Sequence, residues 1–120
     1  MAMCIVELLK FQTQMRVNHW MTGSFAEHKA FGAIYEALNP LIDDFMETYI
    51  GIFGKSDENK PFKLEIEAFG NTAKLKSCIS EFEEFLEELS DEIKGEKDLL
   101  NMRDGILAEV SHLRYLLTLK

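Results

Sequence analysis

Residues 15–31, MRVNHWMTGSFAEHKAF, contain the turn that separates the first two predicted helices. Gly23 disfavours a helical conformation and ends the helix that precedes it. Ser24 with Glu27 three residues later forms a capping box, which is typical of the start of a new helix. The two helices are therefore joined by only about two residues, and helices joined by so short a turn pack antiparallel as a hairpin.

Apolar positions recur every three or four residues on both sides of this turn, which is the spacing of an amphipathic helix. The first predicted helix runs from Ala2 to about Met21, and the second runs from the capping box to about Ile50. The inward-facing positions of the first helix include Leu8, Met15 and His19. His19 is thus expected to face inward or into an interface.

Residues 51–70 lose this periodicity and carry glycine, proline and polar residues that are typical of a loop, although a short helix over residues 62–69 is an alternative. Asn71 or Thr72 is expected to cap a third helix, and Gly95 separates it from a fourth. A connection of about 20 residues is long for neighbouring helix ends, and a crossover along the bundle explains it. The sequence predicts one all-α domain over residues 1–120, a ferritin-like four-helix bundle with a long connection between helices two and three.

Composition narrows the classes of function. The 120 residues include 13 Lys and Arg against 21 Asp and Glu, a net charge of −8, so the chain lacks the basic stripe that DNA binding requires. Glu7 interrupts the apolar run Met1–Val6 before a signal-peptide core can form, and no stretch approaches the roughly 18 apolar residues of a membrane helix. Cys4 and Cys78 match no metal or redox spacing, so we expect two reduced thiols in a cytoplasmic protein without a membrane partner.

Two histidines and two carboxylates are the candidate metal ligands. His19 and His28 flank the hairpin turn, while Asp43 and Glu47 are four residues apart and share one face of the second helix. Carboxylates favour hard cations, and added imidazole shifts the preference towards iron, manganese or zinc. Fifteen residues separate His28 from Asp43, which is about 22 Å along a helix. A single chain therefore cannot bind one ion with both His28 and Asp43.

A site that uses all four residues must be built from two chains. A two-fold dimer would align the histidine end of one hairpin with the carboxylate end of the other and make two equal sites. Asp43 and Glu47 lie more than about 100° from the centre of the apolar stripe, which suits interface residues and ordinary solvated acids equally. Taken alone, His19 is also explained as a histidine at the core edge, hydrogen-bonded to a backbone carbonyl.

These residues carry a family resemblance. The segment from His19 to Gly23, followed by His28, Asp43 and Glu47, resembles the ferroxidase motif of Dps-type mini-ferritins, including its last two spacings. The resemblance covers about residues 8–51 and, more weakly, residues 112–115. The chain is also similar to short ferritin-like proteins of bacteria and their phages.

The resemblance implies a function and a set of roles. It implies a cytoplasmic protein of the oxidative-stress response that binds iron as Fe2+ and Fe3+ and acts as a ferroxidase in a homodimer or a larger homo-oligomer. His19 and His28 would be ligands from one subunit, while Asp43 would bridge or orient and Glu47 would ligate from the other. Trp20 would lie beside the site and intercept oxidising equivalents, with packing in the hairpin as its alternative role.

Several features leave alternatives open. The turn between the two histidines is three residues shorter than the usual family spacing, which favours a second hypothesis, a non-catalytic helical scaffold or interaction protein that retains the bundle. No Lys-rich N-terminal tail is present, so DNA binding is not expected.

Glu36 shares a face with Asp43 and is either a third carboxylate or a solvated acid. Glu109 and His112 have the spacing of di-iron bundles, but a surface histidine is the favoured interpretation.

Overall fold

The structure is a computed structural model that describes residues 2–55 and 61–120. Four α-helices account for most of it: α1 Ala2–Met21, α2 Phe25–Phe53, α3 Thr72–Glu92 and α4 Lys97–Leu116. No strand is present in the described ranges, and none of their helices has the length and apolarity needed to cross a membrane. The predicted all-α four-helix bundle is confirmed.

The turn between α1 and α2 is held by the residues that predicted it. The Ser24 hydroxyl accepts a hydrogen bond from the Glu27 backbone N–H at 3.3 Å, which caps the first turn of α2. The Glu27 carboxylate accepts from the Thr22 hydroxyl at 2.8 Å, and the Ser24 N–H donates to that same hydroxyl at 3.1 Å. One half of the capping box is therefore direct, and the other half connects the Ser24 N–H to the Glu27 carboxylate through the Thr22 hydroxyl.

The far end of α2 lies beyond its predicted position. Gly51 stays helical, and the helix ends at Phe53 instead of Ile50 because the chain turns at Gly54, where φ is 86°. A φ in this left-handed region favours glycine, since a Cβ would be strained there. The start of α3 agrees with the prediction, because the Asn71 side chain accepts from the Lys74 N–H at 2.9 Å.

The helices pack in the cyclic order α1, α2, α4, α3, so that α1 lies diagonally opposite α4 and α2 opposite α3. Each helix buries its apolar stripe in one shared core. The largest of the fully buried side chains are Phe31, Phe45, Leu8, Met15, Leu38, Ile79, Leu86, Ile93, Leu99, Ile106, Leu113 and Val110.

The connection between α2 and α3 returns along the bundle. The Gln14 side chain donates to the Glu67 carbonyl at 2.8 Å and accepts from the Glu67 N–H at 2.9 Å. The Phe69 and Phe31 rings pack with centroids 5.5 Å apart and an angle of 69° between the planes, near the start of α2. The chain has therefore crossed from the end of α2 back to the hairpin turn, as predicted. The alternative of a short helix over residues 62–69 is wrong, because residues 61–71 form no helix and Gln14 occupies the Glu67 backbone groups.

The opposite end of the bundle buries a cysteine and a tyrosine. Both cysteines are free thiols, as the sequence predicted, and the Cys4 Sγ lies 3.9 Å from the Met46 Sδ. Burial, with a smaller effect of Glu92, raises the pKa of Cys4 to about 12. Burial and a hydrogen bond to the Glu92 carboxylate raise the pKa of Tyr49 as well. The Cys4 thiol is therefore protonated and unreactive at neutral pH.

We expect the free energy of unfolding to decrease as the pH rises from about 8 to about 10. In this range Cys4 loses its proton in the unfolded chain, where the pKa of a thiol is about 8.5, and keeps it in the folded chain. The unfolded state then binds fewer protons, so stability decreases as pH rises, by about 2 kcal/mol for this one thiol. Urea unfolding at both pH values should show a smaller decrease for Cys4→Ala than for the parent. An equal decrease in both proteins would contradict the prediction.

Candidate metal centre

The hairpin brings His19 and His28 into direct contact. Their imidazole rings stack with centroids 3.8 Å apart and an angle of 16° between the planes. The Nδ1 of His19 lies 2.7 Å from the His28 carbonyl oxygen, and the Nδ1 of His28 lies 2.8 Å from the His19 carbonyl oxygen. A carbonyl only accepts, so each Nδ1 carries the hydrogen, and in the neutral rings both Nε2 atoms keep their lone pairs. A neutral imidazole with a free nitrogen lone pair is the form of histidine that binds metals.

The backbone of α2 leaves space for the His19 ring at Gly32. A Cβ at this position would lie 3.0 Å from both Cε1 and Nδ1 of His19. The Tyr35 ring packs against the same imidazole with centroids 5.5 Å apart and an angle of 70° between the planes, and the Arg16 guanidinium lies 4.9 Å from the centre of the Tyr35 ring. His19 is therefore half-buried against α2. Gly32 was not predicted from the sequence, although a glycine inside a helix is a signal of close packing.

Aromatic side chains extend from the histidine pair to the surface. The Phe25 ring lies 6.4 Å from His28, and the Lys29 ammonium lies 5.5 Å from the centre of the Phe25 ring. Trp20, which follows His19 in the chain, is 65% exposed. Packing within the hairpin therefore does not account for Trp20, and its role beside a metal site stays a prediction.

The carboxylates lie on the same helix but far from the histidines. Asp43, Glu47 and Glu36 are all exposed, which agrees with their predicted position outside the core. Because α2 is one helix from Phe25 to Phe53, the fifteen residues between His28 and Asp43 span about 22 Å. Within residues 2–55 and 61–120, no group of three or more His, Cys, Asp or Glu side chains could hold a metal ion. One chain pairs the two histidines and does not bring the carboxylates to them.

The second histidine motif lies on the surface. His112 is exposed on α4, with its ring 6.5 Å from that of Tyr115, and Glu109 is half-buried. This position fits the surface histidine that the sequence analysis favoured.

A cavity of about 400 Å³ lies between α1, α3 and the connection. Asn18, which is 2% exposed, lines it and accepts a hydrogen bond from Gln14 at 2.9 Å. The half-buried Cys78 also lines it, and burial with a smaller effect of Glu81 raises the pKa of this thiol to about 11. The sequence could not predict the cavity, because its wall depends on the path of the connection. No histidine lines it, so it is separate from the candidate metal centre.

Comparison with known proteins places the chain in a family. Residues 19–117 match DUF5856, a family of unknown function, and the chain belongs to it. The matched region begins at His19 and contains all four candidate ligands. No curated protein and no solved structure matches the chain.

Proposed function

We propose that this DUF5856 protein binds ferrous iron and oxidises it at a ferritin-like site shared between two chains. The observation that carries the proposal is the reciprocal hydrogen bonding of His19 and His28, which leaves both Nε2 atoms as acceptors. A metal-bound histidine almost always donates its other N–H to a carbonyl, a carboxylate or water, and this contact fixes the tautomer and the ring.

The position of the carboxylates supports a site built from two chains. If α2 of one chain runs antiparallel to α2 of the other, His28 of each chain lies beside Asp43 and Glu47 of its partner. The two-fold axis then creates two equal sites. Nitrogen from imidazole and oxygen from carboxylates suit iron, and the carboxylates stabilise the ferric product because it is the harder ion.

The charge distribution on the hairpin supports the same arrangement. Arg16 and Lys29 are exposed near the histidines, whereas Asp43, Asp44 and Glu47 are exposed towards the other end of α2. An antiparallel pair places the cations of one chain near the acids of the other, and such complementarity fixes the register of an interface.

The reaction needs two electrons for each peroxide. Two ferrous ions each give one electron, the O–O bond breaks, and two protons complete the two water molecules that leave. Iron is the substrate here, and the chain supplies ligands that hold two ions close together. Trp20 lies next to His19 in the chain and is exposed, so it is available to intercept oxidising equivalents that escape the site.

The experiment is a titration of the metal-free protein with ferrous iron without oxygen, followed by peroxide. We expect saturable binding of one or two irons per chain and a rapid rise in the ultraviolet absorbance of ferric species. Binding no stronger than that of the buffer would contradict the proposal.

A non-catalytic helical scaffold or interaction protein is the second candidate. Trp20, Met21 and Phe25 are 65%, 60% and 74% exposed and cluster at the hairpin turn, and exposed apolar clusters mark interaction surfaces. This function predicts self-association without iron binding. Both candidates predict self-association, so the ferrous titration distinguishes them, and sedimentation of the metal-free parent and of Trp20→Ala tests whether this cluster forms the interface.

A further inference from the structure

Gly32 lies one helical turn after His28, where the His19 ring crosses α2. A Cβ at position 32 would approach the His19 Cε1 and Nδ1 to 3.0 Å and Nε2 to 3.9 Å. The Nδ1 is also held by a hydrogen bond, since it donates to the His28 carbonyl at 2.7 Å. A methyl group at position 32 would therefore be closer to the ring than an ordinary van der Waals contact allows, and the ring would have to shift to accept it.

We propose that Gly32 is a positioning residue for His19. The missing side chain lets the Nδ1–Cε1 edge of the imidazole approach the α2 backbone, where its Nδ1 donates to the His28 carbonyl. That bond fixes the tautomer of His19 and leaves Nε2 as its metal-binding atom. The consequence for iron rests on the proposed function, whereas the consequence for the tautomer does not.

Helix propensity alone gives no reason for a glycine at this position. Glycine inside a helix is less stable than alanine by about 1 kcal/mol, so Gly→Ala at an open helical position stabilises a protein. Gly51 is the matched control on the same helix, because a Cβ there would meet nothing within 4 Å. The two substitutions should change the free energy of unfolding in opposite directions. Gly51→Ala stabilises the fold and leaves the histidines unchanged, whereas Gly32→Ala displaces His19 and destabilises the fold.

The test reads the imidazole nitrogens directly by NMR of metal-free, 15N-labelled protein, at a pH where both rings are neutral. In the parent and in Gly51→Ala, His19 and His28 should both carry their proton on Nδ1. In Gly32→Ala, His19 should lose this tautomer. An unchanged tautomer in Gly32→Ala would overturn the proposal.

A ferrous titration of the same three proteins tests the consequence for binding. We expect at least about a tenfold weaker affinity in Gly32→Ala than in Gly51→Ala, which is the usual effect of losing the contact that orients a ligand. Equal affinities despite a changed tautomer would also overturn the proposal. If the tautomer changes but the parent binds no iron, the positioning role stands and the proposed function fails.

A double-mutant cycle covers the case in which Gly32→Ala folds poorly. In a His19→Ala background the ring is absent, so adding Gly32→Ala should no longer destabilise the protein and should raise its stability as Gly51→Ala does. A destabilisation that persists without the His19 ring would contradict the proposed contact.

Discussion

His28→Ala and Asp43→Asn should each abolish rapid ferrous oxidation while the helical content stays that of the parent. Each variant removes one ligand from both sites of the proposed dimer. Loss of a contact that only orients a ligand already weakens metal affinity by about 10–100-fold, so we expect loss of a ligand to cost more than about 100-fold. Stopped-flow absorbance after peroxide addition measures the rate, and circular dichroism measures the helical content.

Matched controls come from residues of the same type elsewhere on the surface. His112→Ala on α4 and Asp91→Asn on α3 each change an exposed side chain outside the α1–α2 hairpin. Both controls should oxidise iron at the parent rate. Parent-like oxidation by His28→Ala and Asp43→Asn would show that the ligands are assigned wrongly.

Phe82→Ala should reduce the free energy of unfolding by about 3–5 kcal/mol, the usual cost of truncating a buried phenylalanine. Phe82 is 2% exposed, and its ring stacks on that of Phe11 with centroids 4.0 Å apart and an angle of 4° between the planes. This pair joins α3 to α1, so the alanine leaves a cavity between two helices. Since the free energy of unfolding of a domain is only about 5–15 kcal/mol, this loss should be a large share of the total stability.

Phe62→Ala is the control for that measurement, because Phe62 lies on the connection and is 50% exposed. Urea unfolding should show a change within about 0.5 kcal/mol for this variant. A loss below about 1 kcal/mol for Phe82→Ala would contradict the packing of α3 on α1.

The sequence predicted the helices because local signals determine where each begins and ends. Ser24, Asn71 and Gly95 are such signals, and each lies at a helix boundary in the structure. The stretch over residues 62–69 shows the limit of periodicity. Its apolar residues allowed a helix, but Gln14, about fifty residues earlier, binds the Glu67 backbone, and no local pattern encodes that contact.

The candidate site was predictable only in part. Spacing alone showed that His28 and Asp43 lie too far apart in one chain, and it placed the two histidines at the same turn. The reciprocal hydrogen bonds and the close approach at Gly32 depend on how α1 rotates against α2, which packing of the whole bundle determines. Spacing therefore predicted which residues come together and did not predict which nitrogen of each ring stays free.

Complementation between two inactive variants tests the shared site most directly. His28→Ala and Asp43→Asn chains are unfolded together, mixed in equal amounts and refolded, so that half of the dimers contain one chain of each kind. In such a dimer one site has both substitutions and the other has all four ligands. We expect the mixture to regain about a quarter of the parent's rapid oxidation, since half of the dimers have one intact site out of two. A mixture as inactive as its two components would contradict a site built from two chains.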